Sequence, residues 1–235
     1  MIRLLILPVL LAVVMAVVSA RAAVRRTSRE LDARSVELVD PRLRPVLDRL
    51  AEALDVPRIK VHLYDVPTVN GLASPDGRVF LTRGFLDRLR TGAVTADELG
   101  GVVAHELGHV ALGHARRRMI DFGGQNAVRV GLALLLGRVL GGVGAWVAQG
   151  LVAMLAAGLS RRDEFEADAY ASALLIKAGI GVEPQVSLLR KLGAEAEARG
   201  AAAPAWLLTH PRTEARVAAI GANAARWLSE PASRP

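Results

Sequence analysis

Two histidines four residues apart, with a glutamate directly after the first, form the chain's most chemically pointed pattern: His105-Glu106-Leu107-Gly108-His109. On a helix, positions i and i+4 share a face, so both imidazoles point the same way. Two neutral ring nitrogens at that spacing reach one Zn²⁺ at about 2.0–2.1 Å. The intervening Glu106 then stands beside the metal's open position, where it can take a proton from water. Catalytic zinc takes three protein ligands, so a third must come from elsewhere in the chain.

The chain has no cysteine, which excludes thiolate zinc sites, disulfides and a cysteine nucleophile together. The third ligand is therefore a histidine or a carboxylate. His114 is five residues past His109; at about 100° per residue it lies far round the helix from the pair and reads as structural. Glu164 and Asp168 sit one turn apart in Ser160-Arg161-Arg162-Asp163-Glu164-Phe165-Glu166-Ala167-Asp168. One such carboxylate can bind the metal while another holds a ligand imidazole by its second nitrogen. Spacing leaves Glu164, Glu166 and Asp163 open as the ligand.

Several elements must position these groups. Leu43, Val46, Leu47, Leu50 and Leu54 recur at helical spacing over Pro41 to Leu54. Ile59, Val61 and Leu63 alternate with polar neighbours as in a half-buried strand. Val69 to Ala73 and Val79 to Thr82 flank Ser74-Pro75-Asp76-Gly77, a strong hairpin signal, which predicts a small antiparallel sheet. Thr95-Ala96-Asp97-Glu98 is a capping box that opens the His105 helix, expected to run to about Met119. Ser160, with Asp163 three residues on, predicts a second start, and Ala178-Gly179 its stop. Glu183 to Arg199 and Arg212 to Trp227 read as two further helices. The expected fold class is α+β and mostly helical.

The 235 residues are enough for one well-buried domain and an appendage. The formal net charge of +7 is carried by arginine, since Lys60, Lys177 and Lys191 are the only lysines. No basic block is interleaved with aromatics, so nucleic-acid binding is not expected. Leu4 to Ala20 is an apolar run broken only by Pro8 and Ser19, close to the ~20 residues that cross a bilayer as a helix. Residues 1–22 read as a membrane anchor or a signal peptide, and 23–40 as a basic linker. Arg21, Arg25, Arg26 and Arg29 after the run favour a retained single-pass anchor with the domain, 41–235, in the cytoplasm. Cleavage near Ala20-Arg21-Ala22, giving a secreted or periplasmic protein, is the alternative. Gly123 to Leu159, charged only at Arg129 and Arg138, reads as a hydrophobic helical hairpin that packs on the protein or touches lipid.

The His-Glu-x-x-His run, the Ser-Arg-x-x-Glu-x-x-Ala-Asp run from Ser160 to Asp168, and His210-Pro211 followed by Arg216 together resemble the M48 family of zinc peptidases, within the gluzincins. Asn70 to Ala73 and Gly84-Phe85-Leu86 add to the likeness, which covers roughly Leu43 to Ile220. The resemblance implies a zincin-type domain with one Zn²⁺ held by His105, His109 and Glu164, and Glu106 as general base and then acid. It implies that Asp168 orients His105, that His210 stabilises the oxyanion or caps the metal, and that Arg216 supports that loop beside the substrate. Asn70, Gly71, Leu72 and Ala73 would form an edge strand that takes polypeptide substrate by strand addition. Gly71 departs from the commoner alanine. The implied function is a membrane-associated metalloendopeptidase acting on extended or misfolded polypeptides; a metal-binding chaperone or assembly factor with latent or no protease activity is the rival.

Overall fold

The computed structural model describes residues 14–15, 17–18, 21–22, 25–74, 76–114, 117, 143–199, 204–211 and 214–229, with the backbone alone of 143–159, 199 and 229. Four strands, β1 (Ser35–Glu37), β2 (Val61–Tyr64), β3 (Gly71–Ala73) and β4 (Val79–Thr82), form one sheet in the order β1-β2-β4-β3. Beyond helical backbone over 25–34, the helices are α1 (Arg44–Ala53), α2 (Arg83–Thr91), α3 (Ala96–Ala111), α4 (Val143–Lys177), α5 (Glu183–Arg199), the five-residue α6 (Ala205–Thr209) and α7 (Glu214–Ser229). The chain divides into two compact units. One comprises Met1–Glu30 and Gly113–Asp163; the other comprises Leu31–Leu112 and Glu164–Pro235 and contains every candidate site residue.

The sheet is mixed rather than antiparallel. β3 and β4 pair antiparallel across the expected turn, with Leu72 opposite Phe80, but β2 runs parallel to β4, with His62 opposite Phe80. Alternation of side chains reports that a segment is a strand, whereas the direction of a non-local pairing depends on where the chain returns. β1, which pairs antiparallel with β2, falls in the stretch read as a basic linker. β3 lies at an edge of the sheet.

The capping box at Thr95 is formed on both sides. Thr95 Oγ1 accepts from the Glu98 amide at 3.1 Å, and Glu98 Oε2 accepts from the Thr95 amide at 2.9 Å. Glu98 is buried, and α5 answers its charge: Ser187 Oγ donates at 2.6 Å and Lys191 Nζ approaches to 2.9 Å. Burial alone would raise this carboxyl, but those donors outweigh it and hold it below its ordinary value. Glu98→Ala should therefore lower the unfolding free energy by about 2 kcal/mol at neutral pH, read from the urea midpoint. Because the folded-state pKa is depressed, the wild-type advantage is present above the ordinary Glu pKa of about 4.3 and is lost as pH falls further.

Two expected boundaries move. α3 stops at Ala111, before the left-handed Gly113 (φ 66°); of the rest of the stretch to Met119, His114 and Arg117 are helical again, and 115–116 and 118–119 lie outside the described residues. α4 passes through Ser160 without a break, so Ser160 opens no helix. The Ser-x-x-Asp pattern caps only when the serine itself leaves helical backbone angles, and Ser160, like Leu159 before it, is helical. The arm of the apolar hairpin over 123–142 falls outside the described residues, as does most of the N-terminal apolar run; among the described residues no helix is long and apolar enough to cross a membrane.

The core of the larger unit is built from Leu50 of α1, Leu81 of β4, Phe85 of α2, Leu99 and Val103 of α3, Leu175 of α4 and Leu189 of α5. α3 runs through this core, so most of its side chains, His105 and His109 included, are buried. Its approach to α4 passes through Gly108. A Cβ there would lie 3.0 Å from the Ala167 carbonyl oxygen and 3.1 Å from its Cα. Having no Cβ lets the two backbones meet one residue from His109, which sets the separation between the imidazoles and the carboxylates of α4.

Candidate metal centre

α3 supplies His105, Glu106 and His109, α4 supplies Glu164 and Asp168, and the turn after α6 supplies His210. All six side chains are buried. Nε2 of His105 and Nε2 of His109 are 3.1 Å apart, and the Glu164 carboxylate oxygens lie 3.5 Å from each. His210 Nδ1 completes the group, 3.2 Å from His105 Nε2 and 2.9 Å from Glu164 Oε2. A tetrahedral ion with bonds of about 2.0–2.1 Å separates its ligand atoms by about 3.3–3.4 Å. The four donors have the spacing of the corners of such a site, and their nitrogen and oxygen chemistry suits Zn²⁺.

Charge gives a second test of fit. Glu106, Glu164 and Asp168 are buried with a single guanidinium, Arg216, which leaves two formal negative charges when the imidazoles are neutral. Buried charge must be compensated, and one divalent cation brings this cluster to neutrality. Without a cation, protons serve instead. Burial disfavours a charged His105, yet its bonds to Asp168 and Glu164 outweigh that and push it up to about 9. Burial, with His105 alongside, pulls His109 down. For Glu164 burial acts upward, and the three imidazoles more than reverse it. A cation entering the cluster therefore displaces a proton from His105.

Behind the donors lies a supporting layer. Asp168 Oδ1 is 3.0 Å from His105 Nδ1, which leaves Nε2 turned toward the donor cluster. Arg216 clamps Asp168 through Nε at 2.6 Å and Nη2 at 2.8 Å, and donates from Nη1 to the Pro211 carbonyl at 2.9 Å. Gln185 donates to Asp168 Oδ1 at 3.2 Å and is itself held by Ser172. Burial acts to raise Asp168, and Arg216 with His105 holds it below its ordinary value. Arg216, read from sequence as a loop support beside the substrate, is 2 % exposed and faces Asp168 and Glu164. Arg216→Ala leaves Asp168 buried with a lost partner and should cost about 3–5 kcal/mol of unfolding free energy, measured by denaturant titration.

His114 belongs to the other unit, where it faces Asp163 at 3.8 Å. Glu166 and Asp163 are absent from the four-donor group. In β3, Gly71 faces α3: an added Cβ would fall 2.6 Å from Val102 Cγ1 and 3.7 Å from Glu106 Oε1. An alanine fits there only if Val102 gives way, which accounts for glycine at this position. Among the described residues, Asn70 Oδ1, just before β3, is buried without a hydrogen-bond partner. Trp206 and Gln185 escaped the sequence reading, because a lone tryptophan or glutamine carries no spacing signal. Trp206 Nε1 lies 3.3 Å from Glu106 Oε1.

A family model described as Peptidase family M48 matches residues 37–224. Metalloprotease LoiP of Escherichia coli (strain K12) is 31% identical over 163 residues, 67% of this chain and 61% of its own length. The mitochondrial metalloendopeptidase OMA1 of Homo sapiens is 28% identical over 175 residues, 69% of this chain and 33% of its own. A protease HtpX homolog of Dictyoglomus thermophilum is 31% identical over 159 residues, 57% of this chain and 49% of its own. The chain thus spans less than two thirds of each of these relatives.

Proposed function

Because the chain belongs to peptidase family M48, we propose that it is a zinc-dependent metalloendopeptidase that hydrolyses peptide bonds in extended or misfolded polypeptides. The observation that carries this reading is the convergence of His105, His109 and Glu164 with the buried carboxylate of Glu106 beside them. One zinc per chain is held by those three residues. The chemistry zinc supplies when bound is Lewis-acid polarisation of a carbonyl and acidification of water.

The chain's own residues do the rest. Glu106 takes the proton of the attacking water as oxygen adds to the scissile carbonyl carbon, then returns it to the leaving amine as the C–N bond breaks. His210 stands at the fourth corner of the donor group, the corner that catalytic sites keep open. Its imidazole N–H would serve the developing oxyanion as a hydrogen-bond donor. Substrate lies along β3, whose edge position suits strand addition at Asn70, Gly71, Leu72 and Ala73. Recognition through main-chain bonds selects extended chains over folded ones, which fits a role in protein quality control. Arg216 acts on substrate only indirectly, through Asp168 and the Pro211 carbonyl.

The N-terminal run serves as a membrane anchor, with the catalytic domain on the cytoplasmic side. Val14, Met15, Val17 and Val18 are exposed, as a lipid-facing segment requires, and the arginines from Arg21 to Arg29 follow it. A mature amino terminus near Ala22 in mass spectra would instead mean a cleaved signal peptide.

The test of the activity is zinc analysis of the purified chain combined with turnover of casein. One zinc per chain and hydrolysis abolished by a chelator are expected. Full zinc with no hydrolysis would favour the metal-binding chaperone.

A further inference from the structure

Trp206 is 3 % exposed on α6. Its ring meets three aromatic neighbours: His105 edge-on at 5.8 Å, Phe85 edge-on at 6.5 Å, and His210 tilted at 5.4 Å. Main-chain bonds fix where the ring sits. The Trp206 amide donates to the Val69 carbonyl at 3.0 Å, just before β3, and the Trp206 carbonyl accepts from the His210 amide at 2.8 Å. A buried indole N–H needs an acceptor, and this one has Glu106 Oε1 at 3.3 Å.

The contacts of the Glu106 carboxylate fall on one oxygen. Oε1 takes the indole N–H, and His210 Nε2 lies 3.4 Å from that same atom. Among the described residues Oε2 takes no hydrogen bond, and it is the oxygen free to exchange a proton. A carboxylate held at one oxygen by a donor on a packed ring keeps its other oxygen in a single direction. Without that donor the group turns about its last bond, whose rotational preference is broad.

We infer that Trp206 is a positioning residue for hydrolysis, its indole N–H holding Glu106 by Oε1 so that Oε2 faces the attacking water. The inference rests on the peptidase reading above. A tryptophan kept only for packing predicts otherwise: filling the same volume without the N–H would then leave the rate unchanged.

Trp206→Phe, prepared in the full chain, keeps an aromatic ring and every main-chain bond and loses the donor. The expected result, with a quenched-fluorescent casein as substrate, is wild-type zinc content, an unchanged KM and a kcat lowered about 10-fold, since misaimed proton transfer affects only the chemical step. Site-specific 3-benzothienylalanine at position 206 replaces the N–H by sulfur within the same bicyclic outline. It decides the matter on the same readout if the phenylalanine variant loses zinc or fails to fold. Unchanged kcat, or a rise in KM alone, overturns the inference. Glu106→Gln is assayed alongside: if it stays active, the peptidase reading fails and takes the inference with it. An inactive Glu106→Gln beside a Trp206 variant at full kcat overturns the inference alone.

Discussion

Glu106→Gln should lower kcat for casein hydrolysis by about 10²–10⁴-fold while one zinc stays bound per chain. The amide is close to isosteric with the carboxylate and still offers an acceptor at Oε1 to the Trp206 N–H. It cannot accept a proton from water. The loss therefore isolates general-base chemistry from packing and from metal affinity, because Glu106 is not one of the four clustered donors. kcat and zinc content measured on one preparation check both halves; a variant that cleaves at the wild-type rate contradicts the assignment of the base.

Removing the donors themselves should act on the metal. His105→Ala, His109→Ala and Glu164→Ala each leave two of the three proposed ligands, and weakened zinc binding with loss of hydrolysis is expected for all three even with His210 alongside, measured by metal analysis after gel filtration. His210→Ala should behave differently. Three protein ligands remain, so zinc stays, while the missing oxyanion donor lowers kcat by about 10²-fold. Asp168→Ala stands between these cases, with zinc affinity weakened by about 10–100-fold, because His105 loses the bond that fixes its tautomer. A zinc content unaffected by Glu164→Ala contradicts the proposed ligand set.

Much of this site can be read from local spacing. The i,i+4 histidines and the Thr95 capping box are properties of one helix, encoded within a few residues and realised in α3. The β3–β4 hairpin is likewise announced by its own turn. Contacts between distant elements are harder. Which acidic residue of α4 meets the imidazoles depends on the face α4 turns to α3, and that face is set where Gly108 receives the Ala167 backbone. The spacing of Asp163, Glu164 and Glu166 contains no record of it. The parallel β2–β4 pairing and the short strand β1 have the same origin in chain return. α6 is shorter than any periodicity can reveal, so nothing in the local sequence marks Trp206 as a partner of Glu106.

The central claim is a place in space for one ion. Anomalous diffraction at the zinc edge from crystals of the full chain tests it most directly. A single peak about 2.0–2.1 Å from His105 Nε2, His109 Nε2 and a Glu164 oxygen is the predicted result. Zinc-loaded crystals with no peak among those three side chains, or with the peak on a different set of residues, would contradict it.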